Sequence, residues 1–311
     1  AQQAAAASSD PSASSSTATP APPAENQYLT IADELSLVTY YLNGIAATCT
    51  GHFGLPEIVT ATATSYLKRF YLRNTCMDYP PAEVMLTCIF LATKTENFPI
   101  SIDSFAGKLN RQPSDILSLE FLVSQSLKFE YKVYHAHLAL QGLVIDMQTT
   151  GASLPALSAA LPKAHSFIRS SRLTSAELLY SPSQIALACF RLADASLVNS
   201  WLSSKSSRAD AAAEKRGGWT EEEEKERLRD EGLGQVLEEI GEMVLEAQRN
   251  PVDRAKATDV DRRLKLARNP EKDPKSALYK KRKAEEEAAR AEKDRQKMAK
   301  RPADDDGSVF D

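Results

Sequence analysis

The chain has 311 residues, 42% hydrophobic and 26% charged, with a formal net charge of −4. That length leaves room for two domains with real cores, and no apolar run reaches the roughly 20 residues a membrane span needs. The charge is uneven: residues 28–250 carry 20 Lys/Arg against 26 Asp/Glu, net −6, and residues 251–311 carry 18 against 14, net +4. A net-negative body speaks against a nucleic-acid grip.

In chain order, residues 1–27 are dominated by Ala, Ser, Pro, Thr and Gln with no aromatic or large aliphatic residue, and a segment that buries so little is expected to be disordered. A first helix is expected over about Ile31 to Thr48, then a loop at Gly51-His52-Phe53-Gly54-Leu55-Pro56. The second helix, about Glu57 to Arg73, carries Val59, Ala63, Tyr66, Leu67 and Phe70 on one stripe. Pro80-Pro81 opens a third, in which only Thr87 is polar between Val84 and Ala92; a helix apolar all round must be buried on every side. Lys94 ends it, where a cation complements the helix dipole and its stem carries the charge outward. A short helix follows over Ile102 to Lys108. Pro113 opens a fifth, with Ile116, Leu119, Val123 and Leu127 inward.

From Tyr131 a second unit begins, with helices expected through about Met147 and over Leu154 to Ser171. Ser181-Pro182-Ser183-Gln184 reads as a capping box with proline at the first helical position. Residues 203–219, rich in Ser, Lys, Ala, Arg and Gly, read as an inserted loop. Thr220 to Glu223 reads as another capping box, leading into a helix with Leu233, Leu237, Ile240 and Val244 on one face. After Pro251 a helix is expected to about Ala267. The tail from 269 is charged, and Ala284 to Lys300 has helix-forming residues but no apolar stripe, as in a solvated helix or a disordered segment. No segment reads as a strand.

The chain repeats itself at an offset of 101: Pro81 to Ala92 lies over Pro182 to Ala193, sharing Pro, Leu, Cys, Leu and Ala, and Ser65 to Leu72 lies over Ser166 to Leu173. Two runs in one register indicate a duplicated helical unit. The position of Lys94 is Ala195 in the second copy. A charge kept by one copy only is not required by the shared fold, which makes Lys94 a functional candidate.

Motifs for chemistry are absent. Cys49, Cys76, Cys88 and Cys189 form no CxxC pair and read as buried thiols of a reducing compartment. Among His52, His135, His137 and His165, the pair two apart is expected on different faces of a helix, and no metal-ligand spacing occurs. No phosphate-cradling glycine loop or GxSxG is present, so no metal, cofactor or catalytic residue is expected. Lys280-Lys281-Arg282-Lys283 reads equally as a nuclear localisation patch or as part of a charged tail.

Tyr66 to Leu72, Leu86 to Lys94 and Leu173 to Leu187, with its LLY-S-PSQIAL block, carry a resemblance to the cyclin family, and within it to the cyclin H branch. It covers about Tyr28 to Ala267, with an echo at Ala277 to Lys283. The implied fold is all-α: two tandem five-helix cyclin boxes at 28–130 and 131–250, a disordered segment before them, a C-terminal helix at 251–268, and a charged helical or disordered tail at 269–311. The implied role is a non-catalytic subunit that binds and activates a cyclin-dependent kinase catalytic subunit. Its implied setting is nuclear, with a RING-finger assembly subunit and the transcription factor IIH core as partners. The kinase would phosphorylate the RNA polymerase II C-terminal repeat and other cyclin-dependent kinases. The family's interface pair falls on Lys94 and Glu120, with Leu91 and Phe129 as apolar contacts. Lys68 stands where many cell-cycle cyclins have Asp. The N-terminal helix that this branch places before its first box is not recognisable in residues 1–27. The competing readings are a cyclin-fold adaptor, or a general transcription factor without kinase activation.

Overall fold

The computed structural model describes residues 28–216, 220, 232–274 and 276–299. The expectations for residues 1–27, for most of the Thr220 capping box and for the last part of the tail lie outside them. Among the described residues there are thirteen α-helices and no strand.

The first unit comprises α1 (Ile31–Ala47), a π-helical turn (Thr48–Phe53), α2 (Glu57–Tyr71), α3 (Pro81–Thr95), α4 (Ile102–Lys108) and α5 (Pro113–Ser126). Helix α1 begins at a Thr30–Asp33 capping box, and α4 at Ser101, whose hydroxyl accepts the Ser104 N–H. The π-helical turn ends at Gly54, whose φ of +62° is left-handed. Helix α3 is the axis: every residue from Val84 to Thr93 is buried. Its one mid-helix polar group is satisfied, since the Thr87 hydroxyl donates to the Ile116 carbonyl of α5 at 3.1 Å. All five stripe residues of α2 are fully buried against it.

The second unit comprises α6 (Ala136–Thr149), α7 (Leu154–Ser171), the one-turn α8 (Ala176–Leu179), α9 (Pro182–Ala193), α10 (Ala195–Arg216) and α11 (Leu233–Arg249). Its axis is α9, opened by the Ser181–Gln184 capping box with Pro182 at the first position. The offset of 101 therefore superimposes helix on helix: α2 on α7, and α3 on α9. Cys88 and Cys189 occupy the same position at the centre of each unit, both at 0% exposure. Burial drives their thiol pKa values upward, that of Cys189 to about 12.

The stretch 203–219 departs from expectation. It is no loop as far as Arg216, because it continues α10. Val198 is buried and Trp201 half-buried in the second core, and Lys205 pairs with Asp146 of α6. Past that point, Ala, Lys and Arg propensity carries the helix into solvent without an apolar face.

Two further helices follow. Helix α12 (Arg254–Ala267) returns to the first unit and lies along α1. Val260 and Leu264 join Leu29, Leu37 and Cys76 in a third, small core. Arg263 pairs with Asp33, Arg268 with Glu83, and the Tyr41 hydroxyl donates to Asp261. The Arg263 guanidinium holds the Asp33 carboxyl down at about 2. Helix α13 (Ala277–Ala299) is charged and largely exposed.

Candidate functional site

Two places in this frame concentrate polar groups where the sequence provides them. One is the seam between the units. Lys68 of α2 is 7% exposed and its ammonium donates to Glu177 at 3.0 Å; burial lowers its pKa. Arg172, also buried, donates to Glu57 at 2.8 Å and lies 3.3 Å from Nδ1 of His137. His135 Nε2 lies 2.9 Å from the Thr62 hydroxyl, which donates to Glu96. Burial pushes the His135 pKa down to about 4.

The two histidines do not lie on different faces of a helix, as their spacing suggested. Helix α6 starts at Ala136, so His135 is its extended N-cap residue (φ −110°, ψ 137°), and the rings stack with centroids 5.2 Å apart. The helical rotation per residue applies only to residues inside the helix. Beyond the oddity of Lys68 no local pattern marks this seam, since its partners lie as far as 115 positions apart.

The other place is the face formed by the ends of α3 and α5. Lys94, in the last turn of α3, donates a hydrogen bond to the Glu120 carboxylate of α5 and lies 4.4 Å above the Phe90 ring. The Lys94 side chain is 41% exposed and that of Glu120 24%. Phe129, just past α5, is 54% exposed, and its ring meets that of Phe121, 70% exposed, at 6.2 Å. Leu117 lies one turn before Phe121 and is exposed as well. Leu91 does not join this face as an open contact: it is 5% exposed and belongs to the first core. The reason is α3's position at the centre, which leaves only its two ends at the surface.

Phe121 escaped the sequence reading. The available signal was phase: it lies opposite the Ile116–Val123–Leu127 stripe of α5, and an aromatic residue there has no core to enter. The remaining candidates, Lys280, Lys281, Arg282 and Lys283, are exposed on α13, where Arg282 pairs with Glu271 and Glu286.

The site uses first-unit residues only. Ala195 stands where Lys94 would be, and it begins α10 directly after α9. Among the described residues no group of three His, Cys, Asp or Glu side chains gathers to hold a metal. The arrangement offers apolar contact, a cation and a carboxylate, which suits the binding of a protein partner.

Comparisons with known proteins agree with this two-unit frame. Residues 41–132 match the cyclin N-terminal domain family and residues 135–245 the cyclin C-terminal domain family. Cyclin mcs2 of Schizosaccharomyces pombe is 30% identical over 269 residues, covering 84% of this chain and 74% of that protein. Cyclin CCL1 of Saccharomyces cerevisiae is 35% identical over 180 residues, and Cyclin-H of Xenopus laevis 35% over 163. The chain spans about half the length of these last two, 46% and 50%. A chain in the structure of the CAK complex of Chaetomium thermophilum bound to ATP-gamma-S superposes with a TM-score of 0.67 at 27% identity, covering 91% of this chain and 84% of that one. A chain of the yeast TFIIK (Kin28/Ccl1/Tfb3) complex gives 0.57 at 29%, covering 68% and 87%. With its two tandem helical units, and with cyclin relatives matched across most of its length, the chain belongs to the cyclin family.

Proposed function

We propose that this chain is a cyclin H-type regulatory subunit, without catalytic chemistry of its own, that binds and activates a cyclin-dependent kinase through the α3–α5 end of its first box. The observation that carries this reading is the exposed face of Lys94, Glu120, Phe121 and Phe129. A surface ion pair contributes only about 0–1 kcal/mol to folding, and two exposed aromatic rings contribute nothing to a core. Such a face is explained by what covers it. The kinships that support the reading are with proteins named as cyclin H or taken from CAK and TFIIK complexes.

The mechanism is a population shift. An active kinase needs its helix C placed so that a glutamate pairs with the ATP-binding lysine, and its activation loop ordered. A subunit that binds only that arrangement favours it by the difference in its affinity for the two states. On this reading Lys94 and Glu120 hydrogen-bond kinase backbone while Phe129 and Phe121 exclude water around them. Boxes at 28–130 and 131–250 would serve a kinase-facing first unit and a bracing second one. A RING-finger assembly subunit, the transcription factor IIH core, the polymerase C-terminal repeat as substrate and a nuclear location complete the proposal.

The test is kinase activity of a purified activating-type cyclin-dependent kinase on a C-terminal repeat peptide, with and without this chain. A large gain that disappears in the Lys94→Ala, Glu120→Ala double variant is the expected result. Full activity in that variant would remove the site assignment. The absence of both a gain and a complex would favour the adaptor reading.

A further inference from the structure

Among the described residues four helices end in the same backbone turn, and one of the four differs in the residues that form it. In α3, α4 and α6 the residue two past the helix end is left-handed and is Asn97 (φ +60°), Asn110 (φ +51°) or Gly151 (φ +95°). Each is followed by the hydrogen bond from the next N–H back into the helix: Phe98 to Thr93, Arg111 to Ala106, Ala152 to Met147. Gly and Asn are the residues that tolerate this conformation. Helix α5 makes the same bonds, Lys128 to Gln125 and Phe129 to Ser124, both at 2.9 Å. Its left-handed residue is Lys128 (φ +56°), and Phe129 beside it is left-handed too (φ +59°). Two successive left-handed residues, neither of them glycine and one a bulky aromatic, persist only where the surroundings over-determine them.

The surroundings are two side chains of α2. The Arg69 guanidinium donates to the Glu130 carbonyl at 2.9 Å and to the Leu127 carbonyl at 3.2 Å, so it grips the turn on both sides of Lys128 and Phe129. It also lies 3.7 Å from the Glu130 carboxylate, and it places a cation on the negative end of α5. The fully buried Tyr66 donates its hydroxyl to the Tyr131 carbonyl at 2.6 Å and lies 3.0 Å from the Thr95 hydroxyl, next to Lys94. One helix turn of α2 thus ties the end of α3 to the end of α5. The held turn presents an aromatic ring, Phe129, half exposed against Phe121.

We infer that Arg69 and Tyr66 are positioning residues: they clamp the Leu127–Tyr131 turn in its left-handed form so that Phe129 stands rigid on the docking face in register with Lys94. The inference rests on the proposed kinase-binding role of that face. A ring fixed before the partner arrives loses no freedom on binding, which is where preorganised contacts gain affinity. The clamp touches no partner itself; it acts through Phe129.

The test is a double-mutant cycle on kinase binding, measured by calorimetry with the full chain and a purified cyclin-dependent kinase, with a thermal melt for each variant. Phe129→Ala and Arg69→Met are each expected to weaken binding about tenfold or more. In the Phe129→Ala background Arg69→Met should add less than about twofold, because the ring it positions is gone. Lys128→Gly should restore part of the affinity lost in Arg69→Met, since glycine adopts the left-handed form unaided. If Arg69→Met fails to fold, Tyr66→Phe replaces it, deleting one hydroxyl and keeping the packed ring. Additive losses, or unchanged binding in both Arg69→Met and Tyr66→Phe while Phe129→Ala binds weakly, would overturn the clamp alone. Unchanged binding in Phe129→Ala would overturn the reading of the face itself.

Discussion

The two boxes share a core plan and differ at their ends. Axial helices α3 and α9 both begin at proline, and both bury a cysteine at the same position. Ile89 and Phe190 also correspond and are both fully buried. At the next turn the copies part. The first ends at Lys94, paired with Glu120, beside exposed Phe121 and Phe129. The second runs through Asp194, which caps α10 by accepting the Ser196 and Leu197 N–H groups, and has Ala195 in the lysine position. Duplicated residues that stay alike are those that fill space. Those that diverge are released from packing and are available for a partner or for the next element.

The largest expected effects lie in the shared core. Ile89→Ala should cost about 2–5 kcal/mol and Phe190→Ala about 3–5 kcal/mol by urea unfolding. If either proves nearly neutral, the two axes are not equivalent in the way their burial implies. The seam comes next. Glu177→Ala leaves the buried Lys68 ammonium without its partner and should cost about 3–5 kcal/mol, while Lys68→Met with Glu177→Leu should recover most of it. A double variant no better than the single would show that the pair is not what couples the boxes.

A third comparison sets the two ends against each other. Lys94→Ala should weaken kinase binding by about 2–5 kcal/mol while shifting the melting midpoint little, since surface pairs contribute at most about 1 kcal/mol. Ala195→Lys should not create a second docking face, because α10 follows at once. Binding by competition and thermal melts read out both.

The last effect concerns acid. Buried His135 has its pKa lowered to about 4 from 6.5. Between those values the unfolded chain binds a proton that the folded chain refuses. The contribution is therefore fully present above about 6.5 and is lost as pH falls toward 4, at no more than about 1.4 kcal/mol per pH unit. Its surroundings are His137, Arg172, Thr62 and Glu96. A His135→Gln chain whose melting temperature keeps the same slope across pH 4–6.5 would place the acid sensitivity elsewhere.

Much of this molecule was legible because its signals are local. Ser181 caps α9 where its hydroxyl accepts the Gln184 N–H. Prolines open α3, α5 and α9 where a missing N–H costs nothing. The stripe of α2 and the all-round apolarity of α3 follow from helical period and burial, and the repeat at offset 101 exposed Lys94 by contrast. Tertiary structure alone decided the rest. It put Lys68 against Glu177 across 109 positions, drew polar residues 203–216 out as the continuation of a helix anchored at Val198 and Trp201, buried Leu91 and stacked His135 on His137. It also placed Arg69 over a turn about 60 residues away. Periodicity and capping act over one or two turns of chain. The pairing of buried charges and the forcing of two left-handed residues depend on groups that only folding brings within hydrogen-bond reach.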